Sequence, residues 1–168
     1  ANLLLARYNN HLSKKDPSGS ATKALQFVDA AKAAGLTSGS GNYVMNYEAT
    51  DAAFLNPWYT LWQNNLVIAS KSFVDLLIAD NDPRLLAFWD KQAFPVVGGA
   101  FFDPIVGKEN GLPTGSDSFS PVGPNTYYGK QDSPVLIATY FELLFIEAEA
   151  AMRSNNPGRA ATALNAAV

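Results

Sequence analysis

The sequence predicts a mainly α chain in which tetratricopeptide-like helical hairpins form part of an α-α superhelix, interrupted by an irregular, loop-rich region. Three observations predict it. Apolar residues recur at helical spacing near both ends, small residues line the last helix, and Gly and Pro concentrate between Phe94 and Thr126.

In chain order, Leu3, Leu4, Leu5, Ala6, Tyr8 and Leu12 belong to a first helix that opens without an N-cap and ends near Asp16-Pro17-Ser18-Gly19. This abrupt opening predicts a fragment of a longer protein. Ala21 to Ala34 is a second helix, with Leu25, Val28, Ala31 and Lys32 at helical spacing and Gly35 as its C′ residue. Gly35 to Gly41 is a linker, and Tyr43 to Tyr47 is extended or irregular. Asn56-Pro57 is a turn signal, followed by three aromatics, Trp58, Tyr59 and Trp62. Ser70 to Ala79 is a third helix carrying Phe73, Val74, Leu76 and Leu77, closed by Asp80-Asn81-Asp82-Pro83. Arg84 to Phe88 is a short apolar segment, strand or helix. Phe94 to Thr126 is a loop-rich excursion with a hairpin around Gly98-Gly99.

The last part of the chain organises the rest. Ser133 as N-cap and Pro134 at the first helical position predict a helix through Arg153, roughly 30 Å long at 1.5 Å per residue. Ile137, Tyr140, Phe141, Leu144, Ala148 and Met152 form its apolar stripe, extended by Leu136, Leu143 and Ala150. Glu142, Glu149 and Arg153 form its polar strip, with Glu149 and Arg153 spaced for an ion pair. Glu142, Glu147 and Glu149 argue against a membrane span. Ser154-Asn155-Asn156 stops this helix, and Asn156-Pro157 starts another with Ala160, Ala161, Leu164, Ala167 and Val168 in register. The pair is a helical hairpin whose small residues let two backbones approach, as in stacked solenoid repeats. One pair cannot bury both faces, so further helices must complete it.

The length suits one domain, residues 1–168. A hydrophobic fraction of 48% with only 16% charged residues indicates a globular protein poorer in charge than the usual quarter. Its surface is therefore covered by Asn, Ser, Thr, Gly, Pro and aromatics, a composition suited to neutral polar partners. A net charge of −3 and a pI near 5.0 argue against nucleic acid. No Cys is present, which removes disulfides and thiolate metal sites.

No nucleophile elbow, phosphate loop, dinucleotide fingerprint or zinc spacing occurs, and no cofactor or metal site is expected. His11, the only histidine, has Asn9, Asn10 and Leu12 beside it and is read as a helix-surface or helix-end residue. Asp80-Asn81-Asp82 resembles the opening of a calcium loop, but Pro83 and Arg84 follow, so a helix-ending turn is expected. Glu142 and Glu149 lie about two helical turns apart, roughly 10 Å, at or beyond the separation glycosidases use. They are read as solvating a strip or pairing with Arg153. The aromatics carry the functional expectation. Exposed rings stack on the C–H faces of sugars while amides bind hydroxyls. Trp58, Tyr59 and Trp62 are the first candidate platform, with Asn64 as amide donor and acceptor; Trp89, Tyr127 and Tyr128 are the second. Two or three of these six aromatics are expected to be exposed.

Three stretches together resemble the SusD/RagB family of outer-membrane nutrient-binding lipoproteins from Bacteroidetes-type bacteria, and its SusD-like branch in particular. Ala1-Asn2-Leu3-Leu4-Leu5-Ala6-Arg7 is similar to the family's Ala-Asn-x-Leu-x-x-Arg helix, and Asn81-Asp82-Pro83-Arg84-Leu85 to its Asn-Asp-Pro-Arg-Leu turn. Tyr140-Phe141-Glu142-Leu143-Leu144-Phe145-Ile146-Glu147-Ala148-Glu149-Ala150 is similar to its Tyr-x-Glu-x-x-Phe-x-x-Ala-Glu-Ala helix. The resemblance implies a fragment from the middle-to-late part of a larger SusD-like protein, with the signal peptide and lipidated Cys absent from this chain. It implies a non-enzymatic, surface-exposed lipoprotein of the outer membrane that captures oligosaccharide or polysaccharide, in some cases peptide, for a SusC-like TonB-dependent transporter. These are scaffold motifs and transfer no binding residue. The competing expectations are a peptide- or protein-binding helical-repeat scaffold and, third, a glycoside hydrolase fragment that would release sugar.

Overall fold

Helix boundaries in this chain are set by a small vocabulary of local chemistry. In the computed structural model, which describes residues 1–92, 103–113 and 118–168, the helices are α1 (Asn2–His11), α2 (Pro17–Ala33), α3 (Pro57–Gln63), α4 (Lys71–Ala79), α5 (Leu85–Phe88), α6 (Tyr140–Arg153) and α7 (Pro157–Ala167). Two short strands join them, β1 (Tyr43–Met45) and β2 (Val135–Ala138). Three helices start the same way: Asp16, Asn56 and Asn156 each accept a backbone N–H with a side-chain oxygen, and Pro follows at the first helical position.

Four helices also end the same way. Gly35, Asn65, Asn81 and Asn155 adopt positive φ of 100°, 57°, 49° and 55°. The N–H of the next residue returns to the carbonyl five residues back: Leu36 to Ala31 at 3.1 Å, Leu66 to Leu61 at 3.0 Å, Asp82 to Leu77 at 2.8 Å and Asn156 to Ala151 at 2.8 Å. This is the Schellman closure, which satisfies carbonyls the helix leaves free.

The chain forms two compact units, residues 1–44 with 136–168, and 45–135. In the first, α1 pairs with α2 and α6 with α7, and α2 packs on α6, giving two helical hairpins in one layer. Leu3, Ala6, Ala24, Val28, Ala31, Leu143, Ile146 and Ala150 are its core. The alanines permit close backbone approach, and Ala160 and Ala163 do the same on α7. β1 pairs with β2, and Asn42 Oδ1 accepts from Tyr140 N at 2.7 Å where α6 begins.

Ion pairs knit these helices. Arg7 on α1 forms a two-pronged pair with Glu142 on α6, Nη2 to Oε2 at 2.7 Å. Buried Glu147 receives Lys32 from α2 and Arg159 from α7, the latter at 2.8 Å, and Arg159 also pairs with Asp29. Burial draws the Arg159 pKa down, but the hydrogen bonds and charges of Asp29 and Glu147 outweigh it, and the guanidinium ends above its ordinary value. Glu149 lies 3.6 Å from Arg153 and accepts from Asn10 at 2.8 Å, so the expected pairing is present.

Three expectations need correction. The predicted helix from Pro134 begins only at Tyr140, capped by Thr139, whose Oγ1 accepts from Glu142 N at 3.1 Å. Leu136 and Ile137 belong to β2, because β1 offers this β-branched run a partner. Buried Ser133 instead donates its Oγ to Tyr127 O at 2.5 Å. The buried face of α6 is Leu143, Leu144, Ile146, Glu147, Ala148, Ala150 and Ala151, whereas Phe141 and Met152 are exposed. Finally, Asp16-Pro17 opens α2 rather than ending the first helix.

The second unit is irregular. Its core joins Ala69, Val74 and Ile105 with Leu85 and Trp89 against them. Segments around 68–71, 105–108 and 120–121 are laced by backbone bonds, Ala69 N to Ser120 O at 2.8 Å and Lys108 N to Ala69 O at 2.7 Å among them. The expected hairpin at Gly98-Gly99 lies outside the described residues. Leu85 to Phe88 is helical, with Arg84 as its N-cap, and Asn81 sits in a helix-ending turn as expected.

Candidate functional site

Asn56 and the loop 120–133 are the frame on which the exposed aromatics of the second unit are hung. Asn56 is 1% exposed and uses all its groups. Its Oδ1 accepts from Trp58 N at 2.7 Å and caps α3; its Nδ2 donates to Ser133 O at 2.6 Å; its backbone N donates to Gln131 O at 2.8 Å. Within the loop, Thr126 Oγ1 donates to Gly123 O at 2.8 Å and accepts from Gly129 N at 3.0 Å. Gly129 is required by close approach: a Cβ there would lie 2.1 Å from Gly123 O. Buried Asp90 holds the loop's other end, accepting from Asn125 N at 2.8 Å and Gln92 N at 2.9 Å. Tyr127 N donates to Ala87 O at 2.9 Å, which fastens the loop to α5.

These bonds place an aromatic ladder at the surface. Phe73 on α4 stacks on Phe88 of α5 at 5.9 Å between centroids and 27°, and Phe88 stacks on Tyr128 at 5.9 Å and 23°. Tyr127 meets Tyr128 edge-on, 5.0 Å away at 90°, and Trp89 meets Phe73 at 6.2 Å and 76°. Such offset and edge-on geometries are favourable for ring quadrupoles. Tyr127 is 48% and Tyr128 42% exposed, so the ladder ends in two free phenol rings set as a corner.

The approach to α5 is fixed by a short ion pair. Arg84 Nε lies 3.0 Å from both Asp82 carboxylate oxygens, and Arg84 N donates to Asp82 Oδ1 at 2.9 Å. The guanidinium hydrogen bond, with help from the backbone bond, lowers the Asp82 pKa from 3.8 to about 2.

The first candidate platform, Trp58, Tyr59 and Trp62, stands on helix α3. Trp58 is 38% exposed, Tyr59 is half-buried, and Trp62 is 6% exposed with its ring 5.4 Å from Tyr59. The indole N–H groups of Trp62 and Trp89 are buried and meet no acceptor among the described residues. Asn64 is exposed, with its Nδ2 donated to Thr60 O at 2.7 Å. Trp58, Tyr127 and Tyr128 are thus the exposed three of the six aromatics, as expected, and Trp89 is half-buried beside them in the ladder. Sequence reasoning missed Phe73 and Phe88, because both sit in apolar helical patterns that read as core. It also missed Asn56, whose only signal was the cap-and-Pro pair.

Among the described residues no helix is long and apolar enough to cross a membrane, and no group of three or more metal-ligating side chains is assembled. A layer of tetratricopeptide-like hairpins interrupted by a loop-built unit that presents exposed aromatic rings defines a helical-repeat protein. The family model described as starch-binding and associating with the outer membrane, a SusD-like family, matches residues 1–168, and the chain belongs to that family. The crystal structure of a SusD/RagB family protein from Bacteroides thetaiotaomicron is similar at a TM-score of 0.71 and 26% identity, over 99% of this chain and 34% of that one. A chitin-binding protein shares the fold at a TM-score of 0.58 and 19% identity, over 96% of this chain and 38% of that one. The chain therefore spans about a third of the length of these solved structures. No curated protein matches it.

Proposed function

We propose that this chain is part of a non-enzymatic glycan-binding protein that holds oligosaccharide on Tyr127 and Tyr128 and serves a SusC-like TonB-dependent transporter. In this reading the whole protein is a surface-exposed lipoprotein of the outer membrane. The observation that carries the binding role is the free corner of the ladder, two exposed rings fixed by Phe88 behind and by the loop bonds below. Sugar C–H faces stack on such rings, and the phenol hydroxyls can bond a sugar's hydroxyls. Trp58 on α3 is a second stacking point, with exposed Asn64 at the end of that helix as its amide, and Tyr59, Trp62 and Trp89 act behind these surfaces. Glu142 and Glu149, about two helical turns apart, are engaged with Arg7 and with Arg153 and Asn10, which supports binding without bond cleavage.

Titration calorimetry with starch-derived and chitin-derived oligosaccharides tests the reading. Binding is expected in the mid-micromolar range or weaker. Tyr128→Ala should raise Kd by about tenfold, the scale of one lost ring contact, while Tyr43→Ala, in the first unit, should not. Equal affinity of the Tyr128→Ala protein and the parent would remove the site.

The second reading is a peptide- or protein-binding scaffold. It rests on a groove of about 540 Å³ between α6 and α7, lined by Phe145, Met152 and Leu164. Retention of a peptide library by the protein, with no response to glycans, would favour it.

A further inference from the structure

Asn110-Gly111 is the one place in the sequence where Gly follows Asn, and the fold adds a hydroxyl relay to it. Both residues are exposed. They form the middle of a turn closed by Leu112 N to Glu109 O at 3.2 Å, with Gly111 at φ 82° and nothing within 4 Å of where a Cβ would be. Gly111 carries no side chain of its own to hinder ring closure at its nitrogen. Asn110 Oδ1 accepts from Ser70 Oγ at 3.3 Å, and Ser70 Oγ lies 3.0 Å from Ser72 Oγ at the start of α4. The turn is held there because Lys71 N donates to Lys108 O at 2.7 Å. Gly107 permits this close approach, since a Cβ on it would lie 2.5 Å from Lys71 Cα.

We propose that Asn110 is a self-modification site, at which the side-chain amide cyclises onto the Gly111 backbone nitrogen with Ser70 polarising the amide carbonyl. The Gly111 nitrogen gives its proton to water or hydroxide and bonds to Asn110 Cγ. Negative charge gathers on Oδ1, where the Ser70 hydroxyl donates. The Cγ–Nδ2 bond then breaks, and the nitrogen takes a proton from water and leaves as ammonia. Water opens the resulting succinimide at either carbonyl. The net change is amide plus water to carboxylic acid plus ammonia, and the product is aspartate or isoaspartate. It adds a carboxylate to a cleft already lined by Lys71, Ser72, Asp75 and Glu109, and the isoaspartate form lengthens the backbone of the turn.

The test is peptide mass mapping of the folded chain, and of the same chain in urea, through an incubation at mildly alkaline pH. The Asn110 peptide should become heavier by about 1 Da and split into two isomers, ahead of the peptides carrying half-buried Asn9 and exposed Asn64. Ser70→Ala should slow this in the folded chain by about fivefold, the rate ratio of one neutral hydrogen bond, and leave the urea rate unchanged. Ser70→Thr, which keeps the hydroxyl, should retain the parent rate. Modification of Asn110 no faster than of Asn9 and Asn64 would overturn the site. A folded rate unaltered by Ser70→Ala would overturn the relay.

Discussion

At the scale of single residues, Asn56 does the most with the least surface. One amide caps α3 and ties it to the loop that carries Tyr127 and Tyr128. Asn56→Ala loses both bonds and should cost roughly 2–3 kcal/mol in denaturant unfolding. Asn56→Ser keeps an oxygen for Trp58 N but is too short for Ser133 O, and should recover about 1 kcal/mol. If the proposed binding site is right, the Ala variant also binds oligosaccharide more weakly at temperatures where it stays folded. Asp82 gives a pH signature. Its folded pKa is depressed from 3.8 to about 2, so its contribution is present above 3.8 and fades as pH falls through about 2. Carboxyl NMR should find that midpoint near 2, and Arg84→Gln should return it toward 3.8. An Asp82 midpoint near 3.8 in the parent would show that Arg84 does not hold it.

At the scale of elements, asparagine takes the left-handed position that ends three of the four Schellman-closed helices. Its short amide tolerates that backbone, whereas a plain Cβ costs about 1–2 kcal/mol. Asn81→Ala and Asn155→Ala should each destabilise by about 1 kcal/mol, and the Gly variants should stay within a few tenths. Equal melting of the Ala and Gly variants would mean that these turns relax. The helices themselves were legible because their caps, spacing and stops are local. What was not legible had non-local causes. Val135 to Ala138 fits a helical stripe as well as a strand, and only pairing with β1, far away in sequence, decides. At the start of α2, Ser18-Gly19-Ser20 are weak helix formers that hide a start signal identical in kind to Asn156-Pro157. The aromatic candidates were legible as residue types, but their exposure depends on what the rest of the fold packs against each one. Trp58 and Trp62, one turn apart on α3, therefore have opposite fates.

At the scale of the whole molecule, the first unit is joined by charge as well as by alanine packing. Glu147 is the meeting point of α2, α6 and α7 through Lys32 and Arg159. Its two partners retain some exposure and can turn to water, which moderates the loss when it is removed. Glu147→Ala should still lower stability by about 2 kcal/mol, with Glu147→Gln intermediate because it keeps the acceptor. Unchanged unfolding midpoints would assign the cohesion of this unit to packing alone.

The first unit is written in two pieces, residues 1–44 and 136–168, with residues 45–135 between them in the sequence. Docking α2 on α6 must close that long intervening loop, an entropic toll that grows only slowly with its length. The inserted stretch is thus free to vary in length and sequence at little thermodynamic expense to its host. In evolutionary terms it is a cassette, able to change while the helices around it stay the same.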